Sequence, residues 1–133
     1  DLAADLVIDE LDTFADTLSR AISDISDPEE AIAEWISASL TYIADGRHLL
    51  AKALNTVDFP DSRKAAIGAS HRTLLAPLTE NLKALGISDV HQALTLIQSV
   101  TDAATKRIES GSDAESEIAS TSAFCIAGIR SLI

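Results

Sequence analysis

Residues 88–133 read SDVHQALTLIQSVTDAATKRIESGSDAESEIASTSAFCIAGIRSLI, and two helical patterns in this stretch decide the fold class. In the first pattern, apolar residues recur at spacings of three and four, which is typical of an α-helix with one buried face. That face comprises Val90, Ala93, Leu94, Ile97, Ala104 and Ile108. We expect Ser88 to cap this helix, Gly111 to end it, and Ser112 with Glu115 to form the capping box of the next helix.

These two helices carry more apolar surface than one core can cover. The first has a second, adjoining apolar face, and the other is mostly apolar or small over residues 118–133. A helix that is apolar over more than half its circumference must be covered from two sides. We expect an identical chain to cover the second side. The residues predicted for this interface are Leu96, Val100, Ala103, Ala119, Ala123, Ile126 and Arg130.

The N-terminal part of the chain predicts two more helices. The first covers residues 2–25, where apolar residues again follow one another at spacings of three and four. Its stripe consists of Val7, Leu11, Phe14, Leu18, Ile22 and Ile25. The second helix begins after Asp27, which is placed to cap it, with Pro28 in the first turn.

The middle of the chain predicts a short helix and a long one. The short helix lies around residues 49–54, and the long one covers residues 61–85. Pro77 lies inside the long helix and is expected to kink it, and Gly86 is expected to end it. The sequence therefore predicts an all-α fold, a six-helix bundle, in a single domain over residues 1–133.

Charge and composition exclude several functions. The net charge is −11, and residues 1–30 hold ten acidic residues against the single base Arg20, with no stripe of Lys or Arg elsewhere. Nucleic-acid affinity depends on cationic contacts with phosphate, so we expect no direct binding of DNA or RNA by these residues. The sequence shows neither a signal peptide nor an apolar run of about 18 residues, so we expect a cytoplasmic protein with no membrane partner. The single cysteine, Cys125, fits a reducing compartment and is expected to be a buried apolar side chain.

Catalytic and metal-binding patterns are weak. Asp45 and His48 have a spacing that serves a metal on a helix, but the pair occurs once, whereas a di-metal bundle needs it twice. Ser70 and His71 are adjacent, so on a helix their side chains point in different directions and form no nucleophile–base pair. There is no phosphate-binding glycine loop and no dinucleotide fingerprint. We therefore expect no enzymatic activity, no metal and no cofactor.

Polar residues on otherwise apolar stripes predict a ligand cavity. Ser39, His71 and Thr101 each interrupt an apolar helix face. Pockets for mostly apolar small molecules combine many apolar groups with a few polar ones that fix orientation. The residues predicted to approach such a cavity are Phe14, Trp35, Ser39, Tyr42, His71, Leu74, Gln98 and Thr101. The alternative is that these polar groups bond to backbone carbonyls or to one another within the core.

Four segments carry a family resemblance: LLAPL at 74–78, LKALG at 82–86, VTDAATKRIESG at 100–111, and Phe124 with Ala127-Gly128. In this order they resemble the C-terminal half of TetR-family transcriptional regulators. The resemblance implies an effector-binding domain of a repressor whose two C-terminal helices form a dimeric four-helix bundle with those of a second copy. It also implies that an unknown small apolar effector alters the affinity for operator DNA. In that family the DNA is bound by an N-terminal helix-turn-helix domain.

That DNA-binding domain is absent from these residues, and the chain contains no methionine. We therefore expect the chain to be a fragment of a longer protein, with operator DNA as a partner only through the missing domain. The alternative hypothesis is a helical bundle without a ligand cavity, in which the apolar terminal helices bind a different protein.

Overall fold

The computed structural model describes residues 2–47 and 58–133. Within these ranges the chain forms five helices and no strand: α1 (Leu2–Ile22), α2 (Pro28–Ala44), α3 (Asp61–Ala84), α4 (Val90–Glu109) and α5 (Ala114–Arg130). The predicted all-α class is confirmed. The predicted short helix at residues 49–54 and His48 both lie outside the described residues, so the six-helix count stays a prediction.

Carboxylates cap three of the helices. Asp27 accepts a hydrogen bond from the Glu30 backbone N–H at 2.9 Å, as predicted for α2. Asp89 accepts from a backbone N–H in the first turn of α4, and Asp113 accepts from one in the first turn of α5. The distance from the nitrogen to the carboxylate oxygen is 2.9 Å in both. These aspartates satisfy free backbone donors and also place negative charge at the positive end of the helix dipole.

The predicted serine caps are therefore wrong by one residue. Ser88 precedes the actual cap of α4, and Ser112 precedes the actual cap of α5, so the Ser112–Glu115 capping box does not form. In both places an aspartate directly follows the serine, and its carboxylate is a charged acceptor where the serine hydroxyl is neutral.

The helix ends follow the glycines. Gly86 and Gly111 have φ values of 82° and 104°, the left-handed conformation that ends a helix and that a residue without Cβ adopts without strain. Both predicted ends are confirmed. The long helix α3 contains Pro77, while the bend at that proline stays a prediction. α1 ends at Ile22, three residues before the predicted boundary.

α2 is the centre of the bundle. It packs against α1, α3, α4 and α5, whereas α5 packs against α2 and α4. On α2, Ile32, Ile36 and Leu40 are fully buried. They meet Leu18 of α1 and three leucines of α3 in one apolar core. Full burial of each such side chain stabilises the fold by roughly 1.5–3 kcal/mol.

None of the helices described over residues 2–47 and 58–133 is both long enough and apolar enough to cross a membrane.

Candidate functional site

An apolar groove runs along the surface between α4 and α5. Its volume is about 170 Å³. Nine of its ten lining residues are apolar or glycine: Ala93, Leu96, Ile97, Val100, Phe124, Cys125, Gly128, Ile129 and Leu132, with Ser131 as the tenth. The floor belongs to the domain core, since Ala93 and Ile97 are 1% and 3% exposed.

The rim of the groove is open to solvent. Leu96 of α4 is 51% exposed and Phe124 of α5 is 68% exposed, so two large apolar side chains stand outside the core on the same surface. Single exposed apolar residues are common on protein surfaces, whereas neighbouring ones that line one groove form a candidate site of interaction. We call this surface the α4–α5 face, defined by Leu96, Val100, Phe124 and Gly128.

The α4–α5 face is also uncharged. None of the 21 acidic and ten basic residues of the chain lies in 90–101 of α4 or in 118–129 of α5. The two uncharged runs lie side by side because they line the same groove. In a chain of net charge −11, this is a region where another surface can approach without desolvating an ion.

An ion pair joins α4 to α5 beyond one end of the groove. The Arg107 guanidinium donates to the Glu117 carboxylate at 2.7 Å. This hydrogen bond raises the pKa of Arg107 above its ordinary value. The contact ties the two helices together near their connecting turn and lies outside the uncharged runs.

The predicted interface residues of α4 and α5 do not all lie along the groove. Leu96 and Val100 line the groove, whereas Ile126 is half-buried and packs against the core. Arg130 points elsewhere, because its guanidinium donates to the Glu29 carboxylate in the first turn of α2. The remaining predicted residues, Ala103, Ala119 and Ala123, are exposed.

Sequence reasoning left Phe124 and Gly128 out of the predicted interface, although both line the groove. The signal available was their four-residue spacing, which places them on one side of α5. Cys125 also lines the groove, and its burial raises the pKa of the thiol. A thiol that stays protonated is a poor nucleophile, so its role here is packing.

Two of the predicted cavity residues, Phe14 of α1 and Tyr42 of α2, form an aromatic pair between these helices. The rings of Phe14 and Tyr42 are stacked, with centroids 4.2 Å apart and planes inclined by 11°. The Arg47 guanidinium carbon lies 5.6 Å from the Tyr42 ring centroid, within the range of a cation–π contact. Burial raises the pKa of Tyr42, the charge of Glu10 raises it further, and Arg47 opposes both.

Trp35, Ser39 and Tyr42 follow one another along one stripe of α2, and all three are buried. Within the part of the chain that the structure describes, the Trp35 Nε1–H is buried and has no hydrogen-bond acceptor. A buried indole N–H is nearly always paired, so this donor is unusual in having no acceptor among the described residues. A surface pocket of about 300 Å³ between α1 and α2 includes Tyr42 with Thr17 and Arg47.

The other predicted cavity residues lie apart from this stripe. His71 is exposed on α3, whereas Leu74 is part of the core. On α4, Gln98 and Thr101 are half-buried, and the Thr101 hydroxyl donates to the Gln98 backbone carbonyl at 3.0 Å. This bond agrees with the alternative interpretation, in which the polar groups bond to backbone carbonyls or to one another and line no cavity.

The described residues contain no group of three or more His, Cys, Asp or Glu side chains placed to hold a metal ion. Comparison of the chain with protein-family models, with curated proteins and with solved structures found no match.

Proposed function

We propose that this chain is the effector-binding and dimer-forming domain of a TetR-like transcriptional repressor, in which α4 and α5 pair with the same helices of a second copy. The observation that carries the proposal is the exposed, uncharged apolar surface of the α4–α5 face. It lies on the two terminal helices, which are the helices that pair across a dyad in the family that the sequence resembles.

The absence of charge on the α4–α5 face permits a second copy as the partner. Two chains of net charge −11 repel each other, and an uncharged contact surface adds no like-charge contact to that repulsion. A basic partner would instead be attracted to the acidic surface of residues 1–30, where ten acids stand against one base.

The buried stripe on α2 supports an effector site. The Trp35 Nε1–H offers an unpaired donor, and the apolar side chains of the core surround it. An effector that reached this donor would meet mostly apolar groups and one polar contact, which is the composition typical of sites for apolar small molecules. The effector class that fits is a small apolar compound with a single hydrogen-bond acceptor.

Effector binding would be transmitted through α1. This helix is joined to α2 by the Phe14–Tyr42 stack and to α3 by an ion pair between Asp5 and Arg63 at 3.2 Å. In the proposed mechanism, the effector favours one of two positions of α1 relative to α2, which is a shift between two populated states. A helix-turn-helix domain N-terminal to α1 would bind the operator DNA.

A thermal-shift titration with a panel of small apolar compounds tests the effector site. We expect a hit to raise the melting temperature with concentration as mass action requires. Trp35→Phe, which removes the N–H and keeps an aromatic ring, should abolish the shift, whereas the exposed Ser19→Ala should leave it unchanged. A panel without any stabilising compound, or a hit unaffected by Trp35→Phe, would contradict this site.

A helical bundle that binds a different protein is the second candidate. It is favoured by the Thr101–Gln98 bond and the exposure of His71, which give two predicted cavity residues ordinary roles. In that case the chain alone would stay monomeric, and the α4–α5 face would be covered by an unrelated partner.

A further inference from the structure

The α4–α5 face contains both a projecting side chain and a recess. Phe124 projects, with 68% of its surface exposed. The recess is the groove itself, with a volume of about 170 Å³. Apolar cavities of roughly 150 Å³ accommodate a benzene molecule, so the groove has room for one aromatic ring.

Gly128 leaves open space at the wall of this recess. A Cβ built at this position would meet no other atom within 4 Å. Gly128 lies four residues after Phe124, which places the two next to each other on the surface of α5. A ring approaching from outside would contact the α5 backbone at Gly128 and the side chains of Leu96 and Val100 on α4.

We propose that Phe124 of each copy inserts into the α4–α5 groove of the other and so fixes the register of the dimer. The proposal rests on the proposed function, because it specifies how the two copies pair. In a twofold interface the same surface serves both partners, so a residue that projects must fit a recess on that same surface. Phe124 and the groove satisfy this requirement on adjacent turns of α5.

A second copy offers the projecting ring that this groove fits, and the absence of charge lets the two surfaces meet. The ring would enter a site formed by uncharged residues of α4 and α5, and no ion would lose its hydration. Burial of the ring in both grooves would remove two large apolar side chains from water in each dimer. Buried aromatic anchors of this kind dominate the energetics of interfaces.

Sedimentation equilibrium of three single variants tests the insertion. Phe124→Ala removes the projecting ring, and Gly128→Leu fills the recess while the open space above Gly128 leaves the fold intact. We expect each to raise the dimer dissociation constant by roughly thirtyfold or more. The matched control is Leu2→Ala, which truncates an apolar side chain that is 75% exposed on α1, and it should change the constant by less than about twofold.

A mixture of Phe124→Ala chains with Gly128→Leu chains distinguishes insertion between copies from coupling within one helix. In the mixed dimer one Phe124 still meets a groove with Gly128 in place, so we expect this dimer to be tighter than either variant homodimer. Circular dichroism and urea unfolding at equal concentration show that each variant is folded.

The two proposals fail in different ways. A wild-type dimer that Phe124→Ala and Gly128→Leu leave unchanged would overturn the insertion and keep the dimer. A mixed dimer no tighter than either variant homodimer would also overturn the insertion. A wild-type chain that is monomeric at tens of micromolar would overturn the dimer itself.

Discussion

α2 and α5 are both 17 residues long and both consist largely of apolar and small residues, but the fold uses them differently. α2 packs against four other helices and has seven buried residues, whereas α5 packs against two helices and has three. An apolar helix is therefore not by itself a core helix. The exposed sides of α4 and α5 together form the α4–α5 face, and the proposed dimer depends on this face.

A pair of leucine truncations gives the largest expected difference between these regions. Leu40→Ala on α2 opens a cavity in a fully buried site and should lower the free energy of unfolding by about 2–5 kcal/mol at any protein concentration. Leu96→Ala on α4 changes a half-exposed side chain and should cost less than about 1 kcal/mol when the chain is dilute. Urea unfolding of both variants measures the two costs.

Concentration sharpens that comparison. At high protein concentration Leu96→Ala should cost more than in dilute solution, because association stabilises the folded chain by mass action and the variant associates less. The cost of Leu40→Ala should not change in this way. Equal costs for the two truncations in dilute solution would mean that the chain itself already covers the α4–α5 face.

The start of α2 gives an intermediate effect. Asp27→Ala removes the side chain that accepts from the Glu30 N–H, so the free energy of unfolding should fall by about 1 kcal/mol. Asp24→Ala removes the same charge from an exposed position between α1 and α2 and should have little effect. Chemical unfolding of the two variants separates the cap from the charge, and identical losses would show that the cap adds nothing.

The smallest effect concerns the ion pair between α2 and α5. A hydrogen bond from Arg130 lowers the pKa of Glu29 below its ordinary value. The Glu29 carboxylate thus binds its proton less tightly in the folded state than in the unfolded state. The ion pair therefore stabilises the fold at a pH above the ordinary pKa of a glutamate, and this stabilisation is lost as the pH falls through the lowered pKa. Exposed ion pairs contribute little to stability, so the change should be slight.

Thermal unfolding of Glu29→Gln and of the wild type between pH 7 and pH 3 measures this contribution. The difference between the two melting temperatures should be largest near neutral pH and should vanish at the acidic end. Glu30→Gln, which alters the adjacent exposed carboxylate, is the control. A difference that grows as the pH falls would have the wrong sign for a lowered pKa.

Periodicity predicted much of this fold because a helix repeats its buried face at fixed spacing. Val7 and Leu18, from the stripe predicted for α1, are buried, and Gly86 and Gly111 end their helices. The caps of α4 and α5 were missed by one residue because Ser-Asp offers two acceptors at each start. Local spacing does not show which acceptor the chain will use.

The candidate site was harder to predict because it depends on contacts between distant segments. Arg130 pairs with Glu29 across 101 residues, and no helical pattern reveals which neighbour a given side of α5 will meet. Phe124 was left out of the predicted interface for the same reason. Its role depends on the groove that α4 forms beside it, which requires the relative position of the two helices.

Sedimentation equilibrium at tens of micromolar tests the central claim most directly. The wild-type chain should show twice its mass of 14.0 kDa, and Leu96→Glu, which places a charge on the α4–α5 face, should show 14.0 kDa while remaining folded. A wild-type mass of 14.0 kDa, or a Leu96→Glu variant that still shows the doubled mass, would contradict the account.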